Sequence, residues 1–381
     1  MIYIGIAAVT VLLNILAWGS SAFCDAYIKY VFPVWVSTYG RFMGIFPFSV
    51  GEWMLTVGIL LVAAALLLGL VTVVSKIFHK VIFPELIRKF FVFCAWVVLI
   101  VCLVMTLNCS MLYHVSTFSE IYFEETKAPS IQDLLRVRNH VADRCNELSR
   151  EVERDGRGYI VYPGGVSADG QALTMQEKAR EVMSGLGKDY DRLSGFYPKP
   201  KPMFFSDFMC QQYSLGWYFP FSLEANYNKT AYVMNLPESM CHELAHLKGF
   251  IYEDEANFIS YLACEQSDDI YFQYSGYLSV LGYLERDVRR IAGQDPEGFA
   301  EAREICGLVE LLDVVYEDDV FVTEEEWERI EGKALFSTET VDHATDVFVD
   351  TTLKVNGVAD GMVSYSRVVE LLLEYYAQGR G

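Results

Sequence analysis

Three long apolar stretches limit this chain more than any other feature. Residues 2–23, 53–75 and 90–112 each run without a charged side chain, and about 20 apolar residues are what a helix needs to cross a bilayer. No water reaches backbone groups there, so each stretch must satisfy its own hydrogen bonds as a helix. The expected organisation is a membrane domain of three transmembrane helices over 1–112, followed by one domain over 113–381. A cleaved signal peptide is the competing reading of the first stretch, but no basic residue precedes it.

Charge sets the expected orientation. Lys76, Lys80, Arg88 and Lys89 stand between the second and third stretches against Glu85 alone, whereas Lys29 and Arg41 are balanced by Asp25 and Glu52 between the first and second. By the positive-inside rule the 76–89 loop is cytoplasmic and the C-terminal domain extracytoplasmic. Ile45-Phe-Pro-Phe48 and Trp53 suit the outer interface, where aromatic residues anchor spans. Residues 113–381 carry 24 basic and 47 acidic side chains, a balance that argues against a nucleic-acid partner. Nine scattered cysteines, three of them in the third stretch, do not form a disulfide framework.

The chemistry is concentrated between His242 and Asn257. His242-Glu-Leu-Ala-His246 places two imidazoles four residues apart on one helical face, within reach of one metal ion. Glu243 beside the first histidine is positioned to activate the attacking water as general base. Asn235-Leu-Pro237-Glu238 reads as the start of that helix, and Gly249 as its left-handed end. The acidic cluster Glu253-Asp254-Glu255 then opens a second helix where a third ligand has to come from. Glu253 is preferred over Glu255 and Glu265 because Asn257, one turn on, then faces the same way and can support a ligand histidine. Two histidines, a carboxylate and an open position suit catalytic Zn²⁺. Cys241, adjacent to His242 but on another face, is expected in the core.

The rest of the domain reads as mainly α with a small β-sheet. Ser130 with Asp133 and Thr174 with Glu177 form capping boxes, opening helices to about Glu153 and about Gly185. Met203-Phe-Phe205, Gly216-Trp-Tyr-Phe-Pro-Phe221 and Thr230-Ala-Tyr-Val-Met234 have strand composition, with Pro220 favouring an edge. An edge strand there either binds an extended peptide by β-augmentation or is simply a core hairpin. Glu224, Asn226 and Asn228 read as turn residues, with a role in the site as the alternative. Tyr271, Tyr274 and Tyr277 form a helical stripe expected in the core, with oxyanion donation as the alternative. Further helical segments are expected at about 295–314, 323–333, 338–352 and 362–377.

His242-Glu-Leu-Ala-His246 followed by Glu253-Asp-Glu-Ala-Asn257 resembles the gluzincin peptidases, which pair His-Glu-x-x-His with a later Glu-x-x-x-Asp/Asn. The whole chain resembles the bacterial membrane family called domain of unknown function 3810. The residues concerned include Gly216-Trp-Tyr-Phe-Pro-Phe221, Glu224-Ala-Asn226, Tyr274-Ser-Gly-Tyr277 and Asp360-Gly-Met-Val-Ser-Tyr365. The resemblance implies a zincin-like metallopeptidase domain with His242, His246 and Glu253 as ligands. The spacing departs from other gluzincins, since only six residues separate His246 from Glu253. The expected function is a membrane-anchored zinc metallopeptidase acting on a peptide or protein. The alternatives are a non-catalytic zinc-binding signalling or structural membrane protein, and a cell-wall amide hydrolase.

Overall fold

The structure, a computed structural model, describes residues 2–78, 84–124, 128–167, 170–356, 358 and 367–379. Lys80 and the 360–365 motif lie outside the described residues. Among the described residues, three helices are long and apolar enough to cross a membrane. These are α1 (Ile2–Gly19) and, after α2 (Ser21–Tyr30), α3 (Phe32–Trp35), a π-helical turn (Val36–Gly40) and α4 (Arg41–Met43), the long helices α5 (Val50–Ile77) and α6 (Pro84–Asn108). Asn14 Nδ2 on α1 donates to Thr106 Oγ1 on α6 at 2.8 Å.

The α-helices of the first and third apolar stretches end before the stretches do, although the third segment apolar enough to cross a membrane runs from Pro84 to His114. The first stops at Gly19 because Ser20 caps a new helix, its side chain accepting from the Phe23 amide. The third stops at Asn108, and Met111 and Leu112 instead turn into the core of the C-terminal domain, where neither is exposed.

That domain is built on helices. α7 (Phe118–Tyr122) and α8 (Ile131–Leu148) come first, then the short antiparallel pair β1 (Gly165–Val166) and β2 (Ala172–Leu173), and α9 (Met175–Leu186). Both predicted capping boxes are present, at Ser130/Asp133 and Thr174/Glu177, although α8 ends at Leu148 rather than near Glu153. The Glu177 carboxylate is held at about 2 by the Thr174 backbone N–H, then by its hydroxyl and by Lys199. Thr174→Ala is therefore expected to cost ~1 kcal/mol near neutral pH. Because the folded-state value lies below the usual 4.5, the cap's contribution is complete above that value and is lost as pH falls toward 2. Urea unfolding of wild type and variant across that window checks it: the gap closes in acid.

The second sheet runs in the order β3-β5-β4, from β3 (Lys201–Pro202), β4 (Gly216–Phe219) and β5 (Glu224–Tyr227), with α10 (Ser206–Gln211) inserted after β3. β5 is parallel to β3 and antiparallel to β4, Trp217 pairing with Asn226. Two expected strands are displaced. Residues 203–205 form a turn, because the Phe204 and Phe205 amides donate to the Glu52 carboxylate at 2.8 and 2.7 Å instead of to a neighbouring strand. Residues 230–234 lead into a 3₁₀ turn (Val233–Asn235), and the strand is formed by Glu224–Tyr227. Glu224, Asn226 and Asn228, read from sequence as turn residues, are buried.

The core gathers around α11 (Leu236–His246), α12 (Glu253–Glu265) and the 25-residue α13 (Ile270–Gln294), which packs across α8 and α12. The segment expected helical over 295–314 divides into α14 (Pro296–Cys306) and α15 (Asp313–Asp318), broken at Gly307. Beyond it lie α16 (Glu324–Glu331), α17 (Thr338–Val355) and α18 (Val368–Ala377), the last packed on α12 and α13. Cys241 is fully buried, as expected, and every cysteine is a free thiol.

Candidate metal centre

α11 and α12 meet at a short connection, and the chemistry sits where they meet. Pro237 occupies the first turn of α11, where its missing N–H costs nothing, and Glu238 follows with a favourable charge for a helix N-terminus. Gly249 ends the run with φ +84°, the left-handed conformation that the sequence reading required. A side chain there would be strained twice, by its backbone and by Ile28, whose Cδ1 lies 2.1 Å from where a Cβ would sit. The Arg192 guanidinium locks the turn, donating to the carbonyls of Lys248, Gly249 and Ser116 at 3.1, 2.7 and 2.9 Å. Gly249→Ala should cost at least ~1–2 kcal/mol for the left-handed backbone alone. In thermal unfolding, adding Ile28→Ala should recover the part due to the clash and leave the backbone part.

The tight turn delivers Glu253. His242 Nε2 lies 3.0 Å and His246 Nε2 3.9 Å from Glu253 Oε2, and one ligand atom from each of the three residues lies within 4.8 Å of the others. His246 Nδ1 is 2.7 Å from the Phe250 carbonyl oxygen. That carbonyl accepts from an Nδ1–H, which leaves the Nε2 lone pair aimed at Glu253. Helical spacing points to Asn257 for this supporting role. Asn257 instead donates from Nδ2 toward Tyr283 Oη, on α13, at 3.4 Å.

The other carboxylates are used elsewhere. Glu255 accepts the Phe118 amide of the juxtamembrane segment, and burial raises its carboxyl to about 7. Glu265 lies three turns along α12, and burial raises it too. The tyrosine stripe is structural. Tyr274 Oη donates to Asp318, Tyr271 Oη accepts the Glu153 amide, and Tyr277 packs against Tyr261.

Glu243 has a different environment. It is 4 % exposed and its Oε2 has no hydrogen-bond partner among the described residues. Its carboxyl fills the space over Gly216 at the start of β4, 2.6 Å from where a Cβ on that glycine would lie. Burial raises it to about 8, against the opposing charge of His242. Burial likewise lowers His246 to about 4. His242 behaves oppositely: burial disfavours its charge, but the hydrogen-bonded Glu253 carboxylate outweighs that and raises it. Glu253 is correspondingly lowered despite burial.

Sequence reasoning passed over a carboxylate beside these groups. Glu238, one turn before His242, is buried and accepts from Ser260 Oγ at 2.5 Å. Its i−4 spacing from His242 was the available signal. With Asn257, Tyr283, Arg286 and Asn235 it lines a cavity of about 260 Å³.

The donor set fits zinc. Two imidazole nitrogens and one carboxylate oxygen form the ligand complement of a catalytic site. Tetrahedral donors ~2.1 Å from an ion stand ~3.4 Å apart, close to the 3.0 and 3.9 Å found here. An unpaired buried carboxyl adjoins them.

The family model for "Protein of unknown function (DUF3810)" matches residues 27–373, and the chain belongs to that family. No curated protein and no solved structure matches it.

Proposed function

We propose that this DUF3810 member is a membrane-anchored zinc metallopeptidase with a zincin-like domain on the extracytoplasmic side of the bacterial cell membrane. The observation that carries the reading is the convergence of His242, His246 and Glu253 beside a buried carboxyl, Glu243 Oε2, that has no structural bond to make. Zinc held by His242, His246 and Glu253 supplies Lewis-acid polarisation of a carbonyl and of water.

The remaining work belongs to the chain. β4 is an edge strand that begins against Glu243, so an extended peptide aligned along it is carried past the carboxyl group. Glu243 takes a proton from the attacking water as its oxygen bonds to the carbonyl carbon. It returns that proton to the amide nitrogen as the C–N bond breaks. A purely structural zinc site has no use for an unpaired buried carboxyl, and this favours catalysis over the non-catalytic alternative.

The reading is tested first by metal analysis of the full chain in detergent. One zinc per chain is expected, with His246→Ala losing it. A chain that binds no zinc, or binds it regardless of His242 and His246, overturns the proposal.

A further inference from the structure

The segment between the first two spans has two faces. Tyr27, Ile28, Phe32 and Val36 are buried against the C-terminal domain, while Tyr30, Val34, Trp35, Phe42 and Ile45 are 44–74 % exposed. Helical turns that begin at the end of one span and lead into the next, with one apolar face bare, lie in the plane of the membrane surface. The Phe204–Phe205 turn extends this surface. Its amides are bonded to Glu52 in the first turn of α5, and the two rings are 75 % and 50 % exposed.

The metal-ligand cluster rests directly on this layer. Gly249, in the turn joining His246 to Glu253, packs against Ile28 of α2. The Tyr218 ring lies 5.9 Å from the His246 ring, and its Oη donates at 3.0 Å to the carbonyl of Asn108, the last residue of α6. Asn108 Nδ2 returns a bond to the Pro220 carbonyl at 2.8 Å, and Tyr39 Oη one to the Phe221 carbonyl at 2.9 Å. One helix, ~10 Å across, therefore lies between the Gly249 turn and the bare apolar face of this layer. An extended chain rises ~3.3 Å per residue, so three or four residues leaving the membrane reach the site.

From this layering, and resting on the peptidase reading, we infer the substrate class: polypeptides tethered to the same membrane, cut within a few residues of their anchor. A chain leaving the same leaflet is confined near the site and enters it at high effective concentration.

The test uses the full-length, zinc-loaded protein in phosphatidylcholine vesicles and one randomised, internally quenched peptide segment in three forms. One is joined to a single hydrophobic span by four residues, one is joined through a rigid helix of about 20 residues (~30 Å), and one is free. Both tethered forms share the surface concentration effect, so their difference reports height alone. Cleavage of the short form at least tenfold faster than the long form, and its loss in Glu243→Gln, supports the inference. Equal rates for the two tethered forms, or preference for the free peptide, overturn it and leave the peptidase reading intact. No cleavage of any form by zinc-loaded protein overturns both.

Discussion

Glu243→Gln is expected to keep its zinc and lose ~10²–10⁴-fold in kcat, with KM little changed. The substitution keeps the shape of a group packed over Gly216 but cannot take up or release the proton. Glu243 is not one of the three residues whose ligand atoms cluster, so the metal should remain. Removing Glu253 should do the opposite, weakening zinc before any effect on turnover is measurable. Metal analysis beside steady-state rates on the tethered peptides separates the two. A Glu243→Gln protein that turns over at the wild-type rate would remove Glu243 from the proton path.

Glu224→Ala is expected to give the largest loss of stability. The Glu224 carboxylate is 2 % exposed, pairs with the buried Lys201 ammonium and accepts the amides of Val50 and Gly51 at 3.2 and 2.8 Å. It therefore ties the central strand of the sheet to the first turn of α5, where helix amides have no internal acceptor. Truncation leaves Lys201 with only the Met43 and Phe48 carbonyls, and a buried charge left without its partner costs ~3–5 kcal/mol. The unfolding midpoint of the detergent-solubilised chain should fall by on the order of 10 °C. Pairing the change with Lys201→Met should recover most of that, though not the part due to the two orphaned amides. A midpoint within a degree of wild type for Glu224→Ala would show that the strand and span are held together by something else.

Local rules account for what could be read in advance. The capping boxes, the stop at Gly249 and the pairing of His242 with His246 depend on spacings within one or two helical turns. Glu253 was legible for the same reason, since a tight turn leaves few positions from which a carboxylate can return to the histidines. Asn257 was misassigned because helical spacing gives the face on which a side chain starts, not the neighbour it meets. That neighbour, Tyr283, is 26 residues away on α13.

The sequence by itself determined the three apolar stretches, the helical character of the domain and the pairing of His242 with His246, because each is written as a run or a period along the chain. It could not separate lipid-facing from core-facing apolar residues, since the two environments demand the same side chains. Met111 and Leu112 therefore read as span and fold as core. Nor could it place Glu224, whose partners at 50, 51 and 201 are brought to it only by packing. Only the tertiary structure decided that the cluster of His242, His246 and Glu253 is fastened to the span ends. The bonds that do so, from Tyr218 to Asn108 and from Arg192 to Gly249 and Ser116, join segments distant in the chain, and no local pattern records them.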